Sequence, residues 1–190
     1  MDFFAHGFWT NAVYEAVDRR NKKPRSRKDI WLPIFFGVAP DIFSFGILLM
    51  TNVFTSGMLW PVRIAGDHSF GPPDPSRIPA YVHTLYNFTH SFVIFAAVFL
   101  LVWLFRKAAY LPMAGWGLHI LIDIYSHTDK FFPTPILFPF SKFHVSGISW
   151  ANPWFMAVNY SALALTYFAL YFKKRKNRTK ENKGAVSDEA

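Results

Sequence analysis

"IWLPIFFGVAPDIFSFGILLM", Ile30 to Met50, contains a single charged side chain, Asp41. A helix crossing a bilayer needs about 20 predominantly apolar residues, and this run has that length. The stretch stays free of other charge as far as Val62. An ionisable group inside such a run costs on the order of 3 kcal/mol on insertion scales, so Asp41 reads as functional rather than incidental. Pro33 and Pro40 each lack an amide hydrogen, which predicts a kink or break in the helix.

Three further stretches have the same character. Tyr86–Phe105 ends at Arg106 and Lys107, and Pro153–Phe172 carries no charge at all. Asn152 and Pro153 suit the N-cap and first helical position of that last segment. Tyr110 to about Ser126 is shorter, with a proline near its start. Phe3–Val17 is apolar but short, which fits either a brief span or a helix lying in the interface. Of the 190 residues, 52% are hydrophobic and 19% aromatic, against 17% charged. That balance suits lipid contact better than an ordinary soluble domain. The expectation is an all-α fold: a polytopic membrane helical bundle of four to five transmembrane helices. Residues 1–172 form the embedded domain, and residues 173–190 a basic, disordered cytoplasmic tail.

A net charge of +8 raises the question of nucleic acid. The basic residues instead gather in "RRNKKPRSRKD" (19–29) and "KKRKNRTK" (173–180), each abutting an apolar segment. This is the placement of cytoplasmic flanking charge, so the expected partner is the bilayer and not nucleic acid. The rule places both blocks and Arg106-Lys107 inside, and the connections 51–85 and 127–152 outside. The first residues, "MDFFAHGF", have no basic n-region, so a secretory signal peptide is not expected. With no cysteine, any metal must be held by His, Asp or Glu.

The chemistry-bearing residues converge under that topology. His119 and Asp123 in "GWGLHILIDIYSH" stand at i and i+4, on one helix face, and His127 continues the stripe. Such a spacing alone is weak; its apolar setting makes it informative. His90 in "FTHS" falls near the outer end of its span, with His83 one face-repeat upstream. His6 lies near the outer end of the first segment. His6, Asp41, His83, His90, His119, Asp123 and His127 therefore gather toward the outer half of the bundle. The bland readings are core histidines bonded to carbonyls, Asp41 as a helix N-cap, and His127 as a helix end. His68 and His144 read as solvated loop residues. The connections "GPPDPSRIPAY" and "FFPTPILFPFSKFHVSGISW" are rich in proline and aromatics, and the second reads as either a cover over a site or an interface anchor.

Four pieces in order, "AHGF", "APDIFSFG", "FTHS" and "HILIDIYS" followed by "PTPILFPF", resemble the LexA-regulated, membrane-bound predicted metal-dependent hydrolases of bacterial inner membranes. The resemblance runs from His6 to about Trp150. It implies His6, Asp41, His90, His119 and Asp123 as metal-site residues, and a distant similarity to helical zinc-dependent phospholipase C enzymes. Many members read Pro-Asp-x-Asp-His where this chain has Phe43 and Ser44, and His-Arg-Gly before Phe-Thr-His-Ser where it has Leu85, Tyr86 and Asn87. Those departures favour one firmly held metal, with His83 or His127 able to complete a second. The resulting expectation is a hydrolase of a lipid or other amphiphilic (phospho)ester, using a divalent metal, zinc first. His90, His119 and Asp123 are the first ligands; Asp41 and His6 are further ligands, or the base and an orienting group. Rival readings are a haem-binding cytochrome with His90 and His119 as axial ligands, and a small transporter or proton relay using Asp41 and Asp123.

Overall fold

The computed structural model describes residues 1–20, 25–56 and 75–188. His68 and most of the 51–85 connection lie outside the described residues. The described chain is all-helical, apart from one isolated bridge between Thr128 and Phe131. The helices are α1 (Phe3–Arg20), α2 (Arg27–Ser56), α3 (Ala80–Thr89), α4 (Phe92–Arg106), α5 (Ala114–Ser126) and α6 (Pro153–Asp188), with short 3-10 turns at Pro75–Arg77 and Leu111–Met113.

Helix α2 is the central post, packed against α1, α3 and α5, while α6 packs on α1. Of the expected kink or break, the break is absent: α2 runs as one helix through Pro33 and Pro40. Pro33 leaves the Asp29 carbonyl without its usual helical donor, and Arg25 Nη2 donates to that oxygen at 3.2 Å. Asp41 is consequently a mid-helix residue and not an N-cap.

Among the described residues, two helices are long and apolar enough to cross a membrane, Arg27–Thr55 and Pro153–Lys176. The pair α3 and α4, bent by 58° at a short break, makes a third if it is one span. The four to five spans expected from hydropathy are thus not reached on length and composition. Helix α5 has 13 residues, and at 1.5 Å per residue about 20 Å falls short of a 30 Å hydrocarbon core. Helix α1 ends in Glu15, Asp18, Arg19 and Arg20, which dilute its apolar start. The start of α6 follows the expected pattern: Asn152 Oδ1 accepts from Trp154 N at 2.9 Å. Its backbone continues through the basic segment to Asp188.

Close approach between α5 and α2 depends on Gly115. A Cβ there would lie 2.6 Å from the Pro33 carbonyl oxygen, so any other residue would push the helices apart. The 127–152 connection folds back over the end of α5. Gly147, Ile148 and Trp150 donate amide hydrogens to the carbonyls of His127, Tyr125 and Ser126 at 2.7–3.0 Å, satisfying groups a helix end leaves bare. The same connection packs Phe131 and Phe132 against Phe45 of α2 and Val82 and Tyr86 of α3.

Candidate metal centre

Four elements bring ionisable side chains to one buried point. Asp41 comes from the middle of α2, and His119 and Asp123 come from successive turns of α5. His90 sits in the break between α3 and α4, and His6 comes from the first turns of α1. The break is itself built by sequence: Ser91 caps α4 by accepting from Val93 N and Ile94 N at 3.2 and 3.4 Å. Its own hydroxyl donates to Phe138 O at 2.6 Å, tying the break to the outer connection.

One nitrogen or oxygen from each of Asp41, His90, His119 and Asp123 lies within 4.8 Å of every other, and all four residues are buried. His90 Nε2 and His119 Nε2 are 3.0 Å apart. Asp123 Oδ2 lies 3.4 Å from His90 Nε2 and 3.2 Å from His119 Nε2; Asp41 Oδ1 lies 3.4 and 3.8 Å from the same two atoms. Bonds of about 2.0–2.2 Å to a tetrahedral ion place ligand atoms about 3.3–3.6 Å apart, so the spacing suits a shared cation.

Tautomers sharpen this. His119 Nδ1 is 2.7 Å from Gly37 O, which can only accept, so Nδ1 carries the hydrogen and Nε2 bears a lone pair. His90 Nδ1 faces Tyr86 O at 3.2 Å and Thr89 Oγ1 at 2.9 Å, and its Nε2 is turned inward in the same way. Two lone pairs facing each other at 3.0 Å repel unless a cation or a proton lies between them. Asp123 Oδ2, also buried, has no hydrogen-bond partner among the described residues. Orienting each imidazole through Nδ1 while Nε2 faces inward is how metal-binding histidines are held. The residues present fit a divalent metal with nitrogen and oxygen ligands.

His6 joins the periphery. Its ring stacks on His119 at 3.7 Å and its Nε2 is 3.0 Å from Asp123 Oδ1, while its buried Nδ1 has no hydrogen-bond partner among the described residues. His127 Nδ1 donates to Phe132 O at 2.8 Å, and its Nε2 is 3.4 Å from Asp123 Oδ1. The Met1 amino group also pairs with Asp123 Oδ1. The two oxygens of Asp123 thus serve different neighbours. His83 stands apart: its Nε2 is 3.1 Å from Pro75 O and its ring stacks on Phe132. His144 is exposed and paired with Asp129 at 3.1 Å.

Several supporting groups escaped the sequence reading. Tyr86 stacks on His90 at 3.8 Å and donates to Phe132 O at 2.8 Å. Ser44 is fully buried and 2.7 Å from Thr89 Oγ1, so it backs His90 through that hydroxyl. Tyr86 stands four residues before His90, one helical turn, which is the signal that could have found it. Gly37 acts through its carbonyl and leaves no trace in side-chain chemistry.

A cavity of about 520 Å³ adjoins the cluster, lined by Asp41 and His127 together with Phe45, Leu49, Phe131 and Trp150. No family model, curated protein or solved structure matches the chain.

Proposed function

We propose that the protein is a membrane-embedded, metal-dependent hydrolase acting on a lipid or another amphiphilic ester or phosphoester. The observation that carries the reading is the pair of inward-facing imidazole nitrogens 3.0 Å apart, ringed by two carboxylates and bordering an apolar cavity. A divalent metal, zinc first among candidates for this donor set, would be held by His90, His119 and Asp123, and would supply Lewis-acid polarisation and a water acidified to a pKa of about 7.

The chain's own residues do the rest. His119 and His90 are held in the ligating tautomer by Gly37 O and by Tyr86 O with Thr89. Asp41 lines the cavity and is the carboxylate placed to take a proton from the attacking water. His6, stacked on His119 and facing Asp123, keeps the α5 pair in register. Phe45, Leu49 and Trp150 exclude bulk water and favour an apolar substituent next to the scissile bond. The topology that goes with this reading counts α1 and α5 as short embedded segments, giving four to five. The site opens toward the outer face of a bacterial inner membrane, and the C-terminus is cytoplasmic. The family resemblance of the motifs around His6, Asp41, His90 and His119 supports the same reading.

A haem between His90 and His119 is disfavoured, because a porphyrin needs a slot between two imidazoles whose nitrogens are 3.0 Å apart. A proton relay would keep Asp41 and Asp123 but require no metal. Elemental analysis of detergent-purified protein, beside hydrolysis assays on glycerophospholipid vesicles, tests the proposal. About one equivalent of metal or more is expected, lost in the His119→Ala plus Asp123→Ala double variant. Unchanged stoichiometric metal in that variant would sink the ligand assignment.

A further inference from the structure

A second concavity, about 590 Å³, runs between α1, α2 and α6, and nothing in the hydrolytic chemistry above uses it. Its walls are Phe8 from α1, Ile34 and Val38 from α2, and Leu163 and Ala164 from α6. The polar atoms along it are already engaged with one another. Asn11 Nδ2 donates to Tyr167 Oη at 2.9 Å, Tyr167 Oη donates to Phe8 O at 3.0 Å, and Tyr160 Oη donates to Asp2 Oδ1 at 2.9 Å. What remains facing the groove is hydrocarbon.

Two facts identify the occupant. Phe3 and Phe4 belong to the walls of both concavities, so the groove and the chamber that holds Asp41 meet at those two rings. The groove is also bounded by α2 and α6, the two helices long and apolar enough to cross a membrane. In a bilayer crossed by those two helices its mouth would face lipid. Along α1 it extends from Phe3 to Asn11, a separation of eight positions, or about 12 Å at 1.5 Å per residue. One leaflet of hydrocarbon is about 15 Å deep, half of the 30 Å core, so the groove matches one acyl chain lying at its natural depth.

We infer that the α1/α2/α6 groove binds a single acyl chain of a bilayer lipid, which enters sideways past Phe3 and Phe4 so that the bond near its head reaches the Asp41 chamber. The substrate class narrows accordingly, from any amphiphile to a lipid with an acyl chain adjoining its scissile ester or phosphoester. This rests on the hydrolase reading for its purpose, but binding can be measured without turnover.

The experiment uses the full chain in vesicles of phosphatidylcholine and phosphatidylglycerol doped with a phosphatidylglycerol bearing a diazirine on one acyl chain. After illumination, adducts are mapped by peptide mass spectrometry. Labels are expected to concentrate on α1 and α6 residues lining the groove. Ala164→Trp fills the groove from an exposed position, and labelling there should fall roughly tenfold, the scale on which apolar pockets discriminate small changes in volume. Leu165→Trp, on the same helix but outside the groove, should leave the pattern unchanged. Adducts spread over the outward faces of α4 and α6, or equal groove labelling in Ala164→Trp, would overturn the inference. If groove labelling holds while hydrolysis of every lipid fails, the acyl-chain site stands and the hydrolase reading falls.

Discussion

Helices α4 and α5 follow one another in the chain, have 15 and 13 residues, and are built in opposite ways. Helix α4 buries none of its side chains; Leu100, Leu101, Trp103 and Leu104 are all about half exposed. Helix α5 buries six residues, among them His119 and Asp123, and turns Leu121 and Tyr125 outward. A water-soluble protein that exposed such a face would aggregate. In a bilayer, hydrocarbon would be the outer solvent, the ordinary ordering would relax, and the interior would be where polar groups find partners. The more hydrophobic helix is therefore the less informative one. Function sits on the shorter neighbour, whose two ionisable residues oppose its apolar bulk.

Making α5 resemble α4 should give the largest effect. Asp123→Leu removes the carboxylate that both inward-facing imidazoles approach. Metal bound to the purified protein is expected to fall from about one equivalent to none, and hydrolysis to background. The readouts are elemental analysis and a lipid hydrolysis assay. Retained metal would mean that α5 does not organise the site.

Next in size is the approach of α5 to α2. Gly115→Leu places carbon where the Pro33 carbonyl already lies, and should cost about 1–3 kcal/mol in thermal stability by forcing the helices apart. Because His119 meets Gly37 O across the same contact, metal affinity should drop with it. Ala97→Leu, on the exposed face of α4, adds the same kind of bulk and should change neither quantity. Equal melting temperatures for the two variants would show that the α2/α5 contact is not tight.

Much of this difference was legible in the sequence. The charge-free run around Asp41, the His119–Asp123 spacing and the isolation of His90 each announce a group that needs a buried partner, and the structure brings these four together. What was illegible is what depends on backbone. Pro33 and Pro40 suggested a kink or break, yet α2 continues as one helix, and the Asp29 carbonyl that Pro33 leaves without a donor is met by Arg25, a side chain just before the helix. The real break falls at His90–Ser91, where Ser91 caps α4 and the outer connection supplies the Phe138 carbonyl. His83 shares a helix face with His90 in the sequence pattern but is drawn aside by Phe132 and the Pro75 carbonyl, neither of which is local to it. Among the described residues the expected four to five spans are met in part, by two helices or three if α3 and α4 make one span, because hydropathy cannot tell a helix long enough to cross a bilayer from a shorter one such as α5, packed against α2.

A smaller change probes how the imidazoles are held. Thr89→Val keeps shape but removes the hydroxyl 2.9 Å from His90 Nδ1, leaving only the longer contact to Tyr86 O. Loss of such an orienting partner typically costs 10–100-fold in metal affinity, and the lower end, about tenfold, is expected because one acceptor survives. Competition with a chelator of known affinity measures it. Thermal stability without metal should fall by about 1–3 kcal/mol, because the same hydroxyl also meets Ser44 Oγ at 2.7 Å and donates to Leu85 O at 2.9 Å.

The smallest effect belongs to α4. Leu101→Ala and Leu104→Ala would each cost about 2–5 kcal/mol in a packed core, where truncation leaves a cavity. On a face solvated by acyl chains, lipid fills the space the side chain vacates, and each change should stay within about 0.5 kcal/mol, as surface substitutions do. Melting of the variants in lipid nanodiscs checks this against wild type. A loss above about 2 kcal/mol at either position would mean that the outward face of α4 packs against protein, such as a second copy of the chain, and not against lipid. The contrast between the two helices would then describe an interface and an interior, with the bilayer meeting some other surface.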